Sequence, residues 1–121
     1  MVKSFLLVGL GGSIGAMLRY LAVTTWKTET FPYNTLVVNI IGSILIGIVF
    51  AMSEKTDLIN DNTKLFLATG ICGGFTTFST FSAENVALLK SGAYATAAGY
   101  IVASVTLCIV GTFIGFKIIN N

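Results

Sequence analysis

The charges in this chain are confined to a few places, and the gaps between them are what most limits how it can fold. No Lys, Arg, Asp or Glu falls between Thr30 and Ser53, between Leu65 and Ala83, or between Ser91 and Phe116. An apolar run of about 18 residues or more is long enough to cross the hydrocarbon core of a bilayer. The opening run, Ser4 to Trp26, is interrupted only by Arg19. Only 10% of the 121 residues are charged and 55% are hydrophobic, so a soluble fold of this size has too few polar side chains for its surface.

The pattern predicts an all-α integral membrane protein with transmembrane helices over residues 4–25, 34–53, 65–89 and 93–117. A loop at 28–33 holds the only proline, Pro32; a polar loop covers 54–64, and a short turn covers 90–92. No linker suggests a second domain, so residues 1–121 read as a single transmembrane domain. Lys3 followed by an apolar run is compatible with a signal peptide, but no small-x-small cleavage site follows. Arg19 and several glycines also lie within the run, and a retained helix is expected. One side of the membrane would carry Lys3, Lys55, Lys64 and Lys117, the other Lys27, Lys90 and Arg19. The positive-inside rule needs an asymmetry that this distribution lacks. Either a single topology is weakly determined, or the chain inserts both ways up and pairs as an antiparallel homodimer.

Several function classes are disfavoured. A net charge of +2 is too small and scattered for nucleic acid. Cys72 and Cys108 lie inside apolar spans and read as packing residues rather than a disulfide framework. The absence of histidine removes the usual proton shuttle and the Ser/His and Cys/His pairs. No nucleophile–base pair or metal cluster is visible, so an enzyme is not expected. Small residues spaced at i,i+4 (Gly11 and Gly15, Gly12 and Ala16, Ser43 and Gly47, Gly99 and Ala103, Gly111 and Gly115) let helix backbones approach closely. They are expected on every helix but the third, within the monomer or in an oligomer.

A few polar groups interrupt the apolar spans. The string Gly9-Leu10-Gly11-Gly12-Ser13-Ile14-Gly15 has the look of a dinucleotide loop, but it lies in a membrane helix and reads as close packing. Arg19 either snorkels to the headgroups or places a positive charge at a pore mouth. Glu84 either pairs near the interface or serves as a proton-coupled site. Asn39 either joins two helices or offers its amide donors to an anion. The richest stretch is Gly70 to Ser82. On a helical wheel Phe75, Phe78, Phe81, Ser82 and Asn85 fall on one stripe, with Thr76, Thr77, Thr80 and Glu84 opposite. The glycine pair followed by Thr-Thr is a poor continuous helix. A break at membrane depth frees backbone carbonyls, which are tolerated where they bind something or line a cavity; the alternative is an unbroken helix with back-bonded hydroxyls. Ring edges carry partial positive charge and could hold a small anion beside hydroxyl and amide donors. Tyr100, Ser104, Cys108 and Thr112, at i,i+4 steps, add a polar track on the last helix.

These residues resemble those of the bacterial Fluc fluoride channels, also called CrcB. The resemblance is carried by Gly11-Gly12-Ser13-Ile14-Gly15-Ala16-Met17-Leu18-Arg19-Tyr20, by Thr35 to Gly47 with Asn39, and by Gly70 to Glu84 with Thr-Thr-Phe-Ser-Thr-Phe-Ser-x-Glu. The last helix matches more loosely, through Tyr100 and Ser104. The resemblance implies an antiparallel dual-topology homodimer in the bacterial inner membrane, surrounded by lipid, that passively exports fluoride. It implies a structural sodium ion held by the backbone carbonyls of Gly73 and Thr76. It places Asn39, Phe78, Phe81, Ser79, Thr80, Tyr100 and Ser104 along the fluoride pore and Arg19 in a vestibule. The residues alone also admit a proton-coupled small-molecule exporter of the four-helix dual-topology type, which would use Glu84, and a membrane scaffold that transports nothing.

Overall fold

The computed structural model describes residues 1–121. The chain is entirely helical. Helix α1 covers Val2–Thr25 and α2 covers Tyr33–Lys55. The third crossing is made of two half-helices, α3 (residues 61–75) and α4 (Phe78–Lys90), and α5 covers Tyr94–Asn120. The four crossings contain 23 to 30 residues, about 34–45 Å at the α-helical rise, and each is long and apolar enough to pass through a membrane.

The third crossing begins at Asp61 rather than at residue 65. Asn60 is its cap: the Asn60 side-chain oxygen accepts the Thr63 N–H at 2.9 Å, and Asp61 adds negative charge at the positive end of the first turn. Over Leu65–Cys72 the backbone winds into wider π-helical turns before a last α-helical turn at Gly73–Phe75. At the other end, α4 closes in a Schellman motif. Gly92 takes φ +83°, and the N–H groups of Gly92 and Ala93 donate to the carbonyls of Leu89 and Leu88 at 3.1 and 2.9 Å. Only glycine adopts that backbone without strain, and it makes the tight reversal into α5 possible.

Helices pack as two pairs, α1 on α3 and α2 on α5. Gly11 lies on Gly70 and Gly15 on Phe75, while Gly111 lies on Ile40 and Gly115 on Ile48; ascending numbers meet ascending numbers, so the helices of each pair run in the same sense. The crossings are backbone against backbone. A Cβ on Gly15 would overlap the Ile71 carbonyl, one on Gly47 the Thr112 carbonyl, and one on Gly115 the Ile44 carbonyl. Contrary to the expectation from sequence, the third crossing does supply small residues, because Gly70 and Gly74 are themselves four apart and meet Gly11 and Gly12. Gly99, by contrast, faces open space and makes no close backbone crossing within this chain.

Only 18 of 121 residues are buried, far too few for a water-soluble core, so lipid or protein must cover the rest. The largest internal cluster is small: Leu36, Phe81 and Tyr100, with Phe31, Ile40 and Leu88 against it. At one end of the molecule Lys55 Nζ donates to the Ile119 carbonyl at 2.8 Å and Lys64 sits 4.7 Å over the Phe50 ring, which places the 56–60 loop and the C-terminus on the same side.

Overpacking a backbone crossing has a specific cost. Gly15→Ala is expected to destabilise the protein by about 1–3 kcal/mol, measured by denaturant titration in detergent, whereas Gly9→Ala, where a Cβ meets nothing within 4 Å, should leave stability unchanged.

Candidate functional site

The polar groups converge where the third crossing stops being a helix. Thr76 (φ −85°, ψ 159°) and Thr77 (φ −151°, ψ 119°) are extended. The glycines do not form the break; they precede it, in the last turn of α3. That turn is closed by Thr76, whose N–H and hydroxyl both donate to the Cys72 carbonyl, at 3.0 and 2.9 Å. The Thr77 hydroxyl restarts the helix by accepting the Thr80 N–H at 3.1 Å, which makes it the N-cap of α4.

Side chains from other helices meet backbone groups of Thr77, in the break, and of Gly74, just before it. Asn39 of α2 accepts the Thr77 N–H at 2.8 Å and donates to the Thr77 carbonyl at 3.1 Å. Arg19 of α1, half-buried, donates from Nε to the Gly74 carbonyl at 3.2 Å. The Thr76 carbonyl accepts no hydrogen bond. Unpaired carbonyls in an apolar setting are costly unless something polar faces them.

The break opens onto a groove of about 430 Å³ between α2, the third crossing and α5. Of the residues singled out from sequence, Asn39, Phe78, Phe81, Ser104, Gly73 and Thr76 line it. The groove has no charged side chain. Ser104 is buried, and its Oγ has no hydrogen-bond partner. Asn39 has one amide hydrogen left after its bond to Thr77. Phe78 is 76% exposed and lies 5.4 Å from the Phe81 ring. The groove thus brings together hydroxyl, amide and ring-edge donors with carbonyl acceptors. Such a site can hold a small anion at the donors and a hard cation at the carbonyls, and no charged group is present to trap either.

The other four predicted residues lie off the groove. Ser79 is exposed, 3.4 Å from the Thr77 hydroxyl, and Thr80 is half-buried at the start of α4. Arg19 is on the far side of the break. Tyr100 is fully buried behind Phe81, ring centroids 4.9 Å apart at 64°. Its hydroxyl donates to Glu84 Oε1 at 2.7 Å, and Thr35 Oγ1 donates to Glu84 Oε2 at 2.8 Å. Glu84 therefore has a hydroxyl partner on each carboxylate oxygen and forms no ion pair. It also lines a second cavity of about 580 Å³, between the 28–34 loop and the turn into α5. Phe31 packs on the other side of Tyr100 at 5.3 Å, so a row of rings, Phe31, Tyr100, Phe81 and Phe78, runs from that cavity to the break.

Thr35 was not singled out from sequence. The signal was a stripe on α2, Thr35, Asn39 and Ser43 at four-residue steps, the counterpart of Tyr100, Ser104, Cys108 and Thr112 on α5. Because α2 and α5 run in the same sense, the stripes lie side by side, and Thr112 Oγ1 donates to the Ser43 carbonyl at 3.1 Å.

A model of the family described as CrcB-like protein, Camphor Resistance (CrcB), matches residues 6–116. A protein of Phocaeicola vulgatus named fluoride-specific ion channel FluC is 47% identical, with 94% of this chain and 96% of the relative aligned. Proteins of the same name from Leptospira interrogans and Flavobacterium psychrophilum are 46% and 43% identical, the first covering 98% of this chain and 96% of the relative, the second 97% of each.

The Tyr100–Glu84 contact should appear as coupling. In a double-mutant cycle of Tyr100→Phe and Glu84→Gln, read by denaturant titration in detergent, the stability losses are expected to be non-additive by about 0.5–3 kcal/mol.

Proposed function

The chain belongs to the CrcB family, and from that premise we propose that this multi-pass membrane protein is a fluoride-specific channel of the bacterial inner membrane that lets fluoride leave the cytoplasm down its gradient. The observation that carries this reading is the buried, unpartnered hydroxyl of Ser104 in a groove shared with the Asn39 amide and the Phe78 and Phe81 rings, and without any charged side chain. Fluoride is small and strongly hydrated. Hydroxyl, amide and ring-edge donors replace part of its water shell, and the absence of a full positive charge keeps binding weak enough for release, as conduction requires. Passive export suits the biology: HF crosses a membrane unaided and ionises inside, and a channel returns the ion. Relatives at 43–47% identity that carry the name fluoride-specific ion channel support the same reading, and a family of channels leaves no role for enzymatic catalysis.

The same reading includes an antiparallel homodimer around a structural sodium ion. The near balance of basic residues across the two sides suits a chain that inserts both ways up. The break faces an open groove, so its carbonyls need a second copy to enclose them. Gly73 and Thr76 fit the sodium role, because both border the groove and the Thr76 carbonyl is unpaired; carbonyl oxygens suit a hard cation that is held and not transported. When bound, the ion would neutralise the negative C-terminal end of α3 and satisfy those carbonyls. A proton-coupled exporter would need a carboxylate free to change state near the midplane, but Glu84 lies six residues past the start of α4 with both oxygens hydrogen-bonded.

Purified protein in liposomes is expected to pass fluoride and not chloride, followed with a fluoride electrode, and Ser104→Ala or Phe81→Ala should slow the flux by about tenfold or more, the cost of an unreplaced donor or contact. Chloride flux of equal size in the same vesicles would sink the proposal. Replacing sodium by a bulky organic cation on both sides should reduce both fluoride flux and resistance to thermal denaturation; flux and stability that ignore the exchange would remove sodium from the account.

A further inference from the structure

We propose that Asn39 and Arg19 are positioning residues that hold the break open before any ion binds, and that by doing so they select which backbone carbonyls remain available at it. Within residues 73–77, two of the five carbonyls are occupied by side chains: Gly74 by Arg19 at 3.2 Å and Thr77 by Asn39 at 3.1 Å. Of the other three, the Thr76 carbonyl accepts no hydrogen bond, and Gly73 and Thr76 border the groove. Asn39 also takes the Thr77 N–H at 2.8 Å, so its amide pairs with both polar groups of one residue, as a neighbouring strand would. This substitutes for the helical bonds that Thr77 loses by being extended, and it removes the incentive for the chain to rewind into a continuous helix. The backbone of α2 ties in the clamp, because the Asn39 carbonyl accepts the Ser43 hydroxyl at 2.8 Å. One Asn39 amide hydrogen remains for the groove, and its direction is set by the clamp. Arg19 acts at the adjoining helix end. Its guanidinium puts positive charge at the carbonyl terminus of α3, where the helix dipole is negative.

The claim that the clamp selects carbonyls for a cation rests on the sodium reading above; the claim that it holds the break does not. Both can be measured on the full-length protein in detergent micelles with sodium replaced by an organic cation. In the wild-type protein, a through-hydrogen-bond coupling from the Thr77 nitrogen to the Asn39 side-chain carbonyl carbon should be visible by NMR; its absence would overturn the clamp even if no variant folds. Thr77 amide exchange should be about tenfold faster or more in Asn39→Ala, which loses both bonds, and close to wild type in Asn39→Asp, which keeps the acceptor. Equal exchange in wild type and Asn39→Ala, with neighbouring helix amides still protected, would reduce Asn39 to a groove donor only. Arg19→Gln should shift the Gly74 carbonyl carbon resonance, and an unmoved resonance would remove Arg19 from the device. With sodium restored, the sodium concentration that half-stabilises Asn39→Ala should rise about tenfold over wild type. If wild-type stability ignores sodium, the sodium reading fails while Thr77 exchange still decides the clamp; if sodium acts equally on wild type and Asn39→Ala, the carbonyl-selection part fails alone.

Discussion

Hydrocarbon offers no hydrogen bonds, so every backbone polar group inside a membrane must find its partner within protein or bound ions. The rest of this structure depends on that constraint, because the third crossing breaks the simplest way of meeting it. A continuous helix would have closed every bond internally. Extending Thr76 and Thr77 releases them, and the molecule answers with groups from three directions: the Thr76 N–H and hydroxyl turned back on Cys72, the Asn39 amide from α2, and the Arg19 guanidinium from α1. The carbonyls left over are those that border the groove or adjoin it. The site is thus a residue of incomplete satisfaction, and the surrounding helices are arranged to limit how far the incompleteness spreads.

That arrangement depends on where the glycines lie. Gly11, Gly15, Gly70 and Gly74 bring α1 against α3 at backbone distance, which brings Arg19 within reach of the end of the neighbouring half-helix. Gly47, Gly111 and Gly115 do the same for α2 and α5, setting two polar stripes side by side. Glu84 shows how the molecule handles an acidic side chain within a crossing: its carboxyl group is flanked by Tyr100 and Thr35 hydroxyls and lies beside a cavity rather than in the groove.

The architecture was legible from the charge-free runs, since four crossings are the only way to dispose of them, and the interruption of the third was legible from Gly-Gly followed by Thr-Thr. Its location was only partly so. Glycine is a poor helix former, yet Gly73 and Gly74 remain helical, Gly74 against Gly12 and Ala16 of α1, and the helix stops instead at the threonines, whose hydroxyls can cap both flanking ends. Asn39 was visible as a costly buried amide, but its engagement with Thr77 depends on how α2 meets the break, which no local pattern encodes. Tyr100 lies on the polar stripe of α5 yet turns its hydroxyl to Glu84 rather than to the groove, because Phe81 occupies the space between. Asn60 was an ordinary helix cap and could have been read. The role of Thr35 needed the two stripes to be compared.

The glycine crossings also bear on entropy and motion. A contact made between two main chains has no rotamers to freeze, so it orders the frame at little side-chain entropic cost and leaves it no alternative packing to relax into. Phe78 at the groove is under no such restriction, being largely uncovered within the chain. Within that frame the uncovered Phe78 ring is the group free to change rotamer on a picosecond-to-nanosecond scale.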